Sequence, residues 1–372
     1  MFRFTWQLVR RNIKPLILIV SFLTFIWLII DTAHRPEFVR HASKHSFRFG
    51  NNANEPAEHW FERTLEQFLE LLELDSNVTA DESRNSFEPL NCPRSNTLFT
   101  AFTGSTLEES LWHYFSLVAI QNSIKTTSEE YQAQIMLTNG TSVELGTLFE
   151  SLPFDVIRMN IIWCYNFPDM NILNSDTAIQ IDKGVKQLFI LNNQAKRFEE
   201  ILKVPWEQHT QFFRLRADAE SMAQNVLGDI RQRSKLYGDE EDVKNLQFVG
   251  LHVREDDELP YEYYYRAMTF HRKMHDTGTL MFVAICENPK STVCSTLDAQ
   301  SERVEVIAEH DELDVDFALL KFCNHSILSS ELDIFPALLR GSGNVVVYGE
   351  QNDRSRYAIK LASFKDNWYN IV

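Results

Sequence analysis

The apolar run Leu246 to Val253, LQFVGLHV, leads into a cluster of ionisable residues: His252 and Arg254, then Glu255, Asp256 and Asp257. An arginine at a strand end offers a rigid fork of N–H donors matched to phosphate, and a neighbouring histidine can orient or donate to the same anion. The competing reading is a surface turn with solvated charges and with His252 satisfied in the core. A second group, Asp314-Val315-Asp316, has the D-x-D spacing that could hold a divalent cation through hard oxygen ligands. Its place at a helix start makes capping and helix-dipole roles the stronger reading. Tyr261, Tyr263, Tyr264 and Tyr265 could stack on flat ligand faces, but a place in core or rim is the better account of them.

These residues need elements that bring them together. The sequence predicts strands at Leu246 to Val253, Leu280 to Ile285, Val304 to Ala308, Ser326 to Leu328 and Asn344 to Tyr348. Helices are expected between them, over Tyr261 to Met274, Asp314 to Phe322 and Ile334 to Leu339. Apolar strands alternating with helices make a parallel, doubly wound sheet, which binds ligands beyond the carboxyl ends of its strands. His252 to Asp257 fall at such an end. Upstream, a helix from Leu107 to Ile120 and strand-like clusters at Ile135-Met136-Leu137, Ile161-Ile162-Trp163 and Leu188 to Leu191 predict a first α/β unit, and Phe213 to Lys235 reads as a long helix.

A chain of 372 residues with 44% hydrophobic residues and only 12 Gly and 11 Pro can bury two cores. Its formal net charge of −16 disfavours nucleic acid as a partner. Pro15 to Ile30 carries no ionisable group, and Arg3, Arg10, Arg11 and Lys14 precede it. By the positive-inside rule this is a signal anchor with a cytosolic tail. Its length of roughly 24 Å suits a thinner membrane of the ER or Golgi. A cleaved signal peptide is the other reading, but no clear A-x-A site follows. The bulk of the chain is then lumenal. The sequons at Asn77, Asn139 and Asn324 agree with that, and all five cysteines, Cys92, Cys164, Cys286, Cys294 and Cys323, lie beyond the span. One thiol must remain unpaired, and Cys323 reads as a buried core thiol; no C-x-x-C pair is present, so a structural zinc is not expected and no metal ligands are assigned. The amphipathic stretch Glu58 to Leu74 could pair two copies into a homodimer, although packing on its own domain is favoured.

Two segments carry a family resemblance. Leu246 to Leu259, LQFVGLHVREDDEL, resembles the first donor-binding motif of the galactoside α-1,2-fucosyltransferases, V-G-V-H-V-R-R-G-D-Y. Asp316 to Leu339, DFALLKFCNHSILSSELDIFPALL, is similar without a gap to that family's D-F-A-L-L-x-x-C-N-H-x-I-x-x-S-T-F-x-W-W-x-A-x-L segment. The likeness runs over about residues 214 to 350 and ends on the strand-like GNVVVY at Gly343 to Tyr348. It resembles a divergent, invertebrate-type member of glycosyltransferase family 11. The resemblance implies a type II Golgi enzyme with two Rossmann-like halves in the GT-B arrangement, using GDP-fucose and no obligatory metal or other cofactor. The acceptor would be a galactose-terminated glycan. The implied plan is a cytoplasmic tail over 1–14, an anchor over 15–31, stem and linker over 32–97, an acceptor-side domain over 98–213 and a donor domain over 214–372. Arg254 would hold the donor diphosphate, and His252, Asp316 and Ser330 would shape the same pocket. Fucose transfer would invert the anomeric carbon, with Asp257 as the candidate base.

Three loops depart from the family pattern. Glu255 stands where the family has a second arginine, Asp256 replaces its glycine, and Ser330-Glu331-Leu332 replaces S-T-F. The glycine-rich G-x-L-G-N-Q loop is echoed only by Thr103-Gly104-Ser105-Thr106-Leu107-Glu108-Glu109. An active fucosyltransferase therefore needs a way around Glu255 and Glu331, by protonation, a turned-out side chain or substitute cations. A catalytically impaired lumenal glycan-binding or partner protein does not. A metal-dependent transferase using the D-x-D triplet is the third class.

Overall fold

A computed structural model describes residues 92–371 except 128–132, 158, 163, 166–169, 183, 194, 235–244, 255–258, 276–279, 302, 311–312 and 350–355. The anchor, the stem, the Glu58 to Leu74 stretch, Asn77 and the candidate base Asp257 lie outside the described residues. Among those described, no helix is long and apolar enough to cross a membrane.

The strands form two parallel sheets. In the first, β1 (Thr97–Ala101), β2 (Ala133–Leu137), β3 (Asp155–Val156), β4 (Asn171–Leu173) and β5 (Gln187–Leu191) take the order β3-β2-β1-β5-β4. Helix α1 (Leu107–Thr127) follows β1; α2 (Asn139–Leu145), α3 (Met159–Ile162) and α4 (Phe198–Lys203) follow later strands. In the second, β6 (Gln247–Val253), β7 (Leu280–Cys286), β8 (Val304–Ala308), β9 (His325–Ile327), β10 (Val345–Tyr348) and β11 (Trp368–Ile371) take the order β11-β10-β9-β6-β7-β8. Counted from its own first strand this is 6-5-4-1-2-3, the Rossmann order, with a switch point between β6 and β9. Both sheets are parallel because a helix or long crossover separates most successive strands: α5 (Ala217–Ser234) precedes β6, and α6 (Tyr261–Met274), α7 (Thr292–Gln300), α8 (Leu313–Phe322), α9 (Ile334–Arg340) and α10 (Arg356–Ala362) join the rest.

Strand β6 is buried on both faces, as its uninterrupted apolar run demands. Gly250 is placed there by space: a Cβ would stand 3.0 Å from Cys323 Sγ and 3.1 Å from Leu320 Cδ2, so α8 lies directly against the strand. Tyr263 and Tyr264 are fully buried and Tyr265 is exposed, so the tyrosine run belongs to core and rim. Two sequence expectations need correction. Ile161 and Ile162 end a short helix rather than a strand, and α5 begins at Ala217 rather than Phe213. Leu215 forms an antiparallel bridge with Phe149, which keeps the chain extended until that contact is complete.

The two sheets share one core. Trp112 and Phe115 on α1 meet Phe335 on α9 with ring centroids 4.9 Å apart in each case, and Trp206 packs on Phe115. Disulfides join Cys92 to Cys164 and Cys286 to Cys294, and Cys323 stays a free buried thiol as expected.

Candidate functional site

At the switch point of the second sheet, β6 delivers His252 and Arg254, β8 delivers Glu309, and the loop after β9 delivers Ser329, Ser330 and Glu331. Asp333, just ahead of α9, organises this end. Its Oδ2 accepts from the backbone N–H groups of Ser329 and Ser330, each at 3.0 Å, and from Ser329 Oγ at 3.1 Å. Ser329 Oγ also contacts the carbonyl of His252, tying β9 to β6. The other carboxylate oxygen lies 3.4 Å from His252 Nδ1, and Glu309 Oε1 lies 3.4 Å from His252 Nε2 as an ion pair without hydrogen-bond geometry. Burial works against a charge on His252, but the two carboxylates outweigh it and raise its pKa to about 10. His252 is therefore an imidazolium at neutral pH, and its charge is already matched by Asp333 and Glu309.

That leaves Arg254 to meet an anion. It sits half-buried at the end of β6, with no carboxylate within salt-bridge distance among the described residues, yet near enough to Glu108 and Glu309 for its charge to pull both pKa values down. In the loop after β9, Ser330 Oγ is buried without a hydrogen-bond partner, an atom a ligand could satisfy. Asp316 acts at one remove: it accepts from the backbone N–H of His310 at 3.0 Å and lies 2.7 Å from His310 Nδ1, fixing the turn that carries Glu309. Asp314 lies 3.3 Å from Arg216. The D-x-D carboxylates thus engage separate partners, His310 and Arg216, at the start of α8.

The first sheet brings its own switch point to the same place, through residues that sequence reasoning missed. After β1, Thr106 opens α1 by accepting the N–H of Glu109 at 3.3 Å, while Glu109 reaches back to the N–H of Ser105 at 2.7 Å. This capping arrangement occupies Glu109 and turns Glu108 towards the other half. After β5, Lys196 extends over the rings of Trp112 and Tyr357, 4.9 and 4.0 Å from their centroids. Its Nζ lies 2.7 Å from Glu331 Oε2 and 3.9 Å from Glu108 Oε1, and Trp112 Nε1 donates to Glu331 Oε2 at 3.0 Å. Burial, then the hydrogen bond and charge of Glu331, raise Glu108 to about 7 against the opposing pull of Lys196 and Arg254. A half-exposed carboxyl that titrates near neutrality, between a lysine and an arginine, is suited to accept a proton from a hydroxyl. The signal for Glu108 was its place after the first strand of the first sheet; Lys196 offered only a strand-end position after LFIL.

No protein-family model matches the chain, and no curated protein matches it. Among solved structures, the crystal structure of fucosyltransferase NodZ from Bradyrhizobium aligns with a TM-score of 0.41 and 12% identity, covering 68% of this chain and 96% of that one. The NodZ alpha-1,6-fucosyltransferase soaked with GDP-fucose gives the same TM-score and identity over 68% and 94%. The E. coli heptosyltransferase WaaC with ADP aligns at 0.33 and 13% identity over 74% and 90%. Of the sequons, Asn139 is exposed at the start of α2, and Asn324 is exposed before β9 with its Oδ1 accepting the N–H of Phe248 at 2.9 Å.

Proposed function

We propose that this protein is an inverting glycosyltransferase of the GT-B arrangement that takes fucose from GDP-fucose to a galactose-terminated glycan. The observation that carries the proposal is the meeting of two switch points: Arg254 and Ser330 from one parallel sheet, Glu108 and Lys196 from the other. The family resemblance of 246–259 and 316–339 supports the donor, and the paired motifs now fall on β6 and on α8 to α9 of a Rossmann-ordered sheet.

In this reading Arg254 binds the diphosphate and Ser330 Oγ adds a hydrogen bond. As the bond from the fucose anomeric carbon to the phosphate oxygen breaks, its electron pair leaves with GDP, and Arg254 stabilises the growing negative charge. The acceptor oxygen forms the new bond on the opposite face and gives its proton to Glu108, whose pKa of about 7 suits a base. Glu331, the carboxylate that seemed to oppose an anionic donor, is matched by Lys196. The disulfides support an oxidising compartment, and with the anchor they support a type II protein of the Golgi membrane. The 2-α linkage and a homodimer belong to the same proposal.

The turnover test is release of GDP from GDP-fucose with galactose-terminated acceptors, comparing the chain with Glu108→Gln. Acceptor-dependent GDP release that drops about 100-fold or more in the variant supports the reading. Turnover equal in both removes Glu108 as the base. A second reading, a glycan-binding protein without turnover, is favoured by the acidic character of this end, where Glu108 and Glu309 feel the charge of Arg254 and Glu331 is held by Lys196. Glycan binding by a chain that binds neither GDP nor GDP-fucose would establish it.

A further inference from the structure

At the opposite, amino-terminal end of the second sheet, three histidines converge. His271 lies in the last turn of α6, His275 caps that helix four residues on with its backbone N–H on the His271 carbonyl, and His325 opens β9. One ring nitrogen from each lies within 4.8 Å of the others. His271 is fully buried, and neither of its ring nitrogens meets hydrogen-bond geometry, although the Ser326 backbone is near enough to act on it. A buried imidazole with two unsatisfied nitrogens is a costly arrangement that a ligand would relieve.

We infer that His271, His275 and His325 form a binding site for a zinc-class divalent metal ion. Three imidazoles are a recurrent zinc donor set, and the two-residue i, i+4 contribution from a helix is a geometry that suits it. An imidazole ligates through the lone pair of its neutral form. His325 Nε2 lies 3.0 Å from Gln247 Oε1, and donation to that oxygen leaves Nδ1 as the lone-pair nitrogen. Asn344 marks where the lone pairs meet: its backbone N–H donates to His325 Nδ1 at 2.9 Å, and its Nδ2 lies 3.0 Å from His275 Nε2. A cation at that position replaces those two donors. Arg340, whose charge acts on His271 and His325, opposes the ion and sets a limit on affinity. A cavity of about 290 Å³ lined in part by Gln247, Arg340 and Gly343 borders His325. The site lies at the other end of β9 from Ser329 and Ser330, so the ion would staple α6 to the switch-point strand rather than touch a reacting group.

The test is equilibrium dialysis of the chelator-treated full-length chain in detergent against zinc, with cobalt as a spectroscopic probe. The expected result is one zinc per chain, visible cobalt absorption of a tetrahedral site, and a higher melting temperature. His275→Gln removes a half-exposed ligand without opening the core, and its zinc affinity should fall by more than the roughly 10- to 100-fold that losing an outer partner costs. His271→Phe keeps the volume and should abolish the cobalt spectrum. No zinc bound by the folded chain, or binding unchanged in both variants, overturns the inference.

Discussion

Lys196 Nζ lies 2.7 Å from Glu331 Oε2, joining the loop after β5 of the first sheet to the loop after β9 of the second. The pair is nearly buried, with 16% and 8% of the two side chains exposed, and Trp112 donates to the same oxygen. Removing only the cation leaves a buried carboxylate without its counter-ion. Lys196→Ala should therefore destabilise the protein by about 3 to 5 kcal/mol, while Glu331→Gln, which keeps an acceptor for Trp112, costs much less. Denaturant midpoints of the two variants check this, and equal losses would remove the asymmetry that defines the contact.

Glu108 should give a pH signature. Its folded pKa of about 7 stands above the unfolded value of 4.5, so the stability it contributes is fully present below about pH 4.5 and is lost as pH rises through 7. As a base it must be ionised, so kcat/KM should rise with pH to a plateau above about 7. Glu331→Gln removes the neighbouring like charge and should move that limb to lower pH, while Lys196→Met should move it higher. A limb unmoved in both would assign the titration to another group.

His252 predicts a loss of stability in the same direction, at more alkaline pH. Its folded value of about 10 lies above the unfolded 6.5, so its contribution is complete below about pH 6.5 and disappears as pH rises through 10. The melting-temperature difference between the wild type and His252→Gln should be constant below that lower limit and narrow towards pH 10. A difference that persists unchanged at pH 10 would mean that packing, not charge, holds Asp333 and Glu309 to this strand.

The fit of α8 against β6 is testable at Gly250. A methyl group there must displace Cys323 and Leu320, so Gly250→Ala should cost about 1 to 3 kcal/mol, read from urea unfolding. Adding Cys323→Ala should recover part of the loss. Without any recovery, the strain lies in the strand backbone instead.

Much of the second sheet was legible because its strands are uninterrupted apolar runs, as in LQFVGLHV and LMFVAIC, and because α6 has a buried stripe at helical spacing. The first sheet was harder. TLFTA mixes threonine into a short strand, and Ile161-Ile162-Trp163 reads as strand-like because three apolar residues do not distinguish a strand from one turn of helix. Arg254 and Ser330 were singled out where local motif and strand end coincide, and both fall just beyond the ends of β6 and β9. Glu108, Lys196 and Glu331 lie up to 223 residues apart, and only the closing of two sheets onto one core brings them together. Glu331 had looked like an obstacle because its partner Lys196 comes from the other half of the molecule.

The most direct test of the central claim is calorimetric titration of GDP and GDP-fucose into the full-length chain, beside Arg254→Ala. The account predicts binding on the order of micromolar. It predicts a loss of about tenfold or more in the variant, as expected for a charge-assisted hydrogen bond. Folded protein that binds neither nucleotide, or that binds both equally well without Arg254, would contradict a donor site at the β6 and β9 switch point.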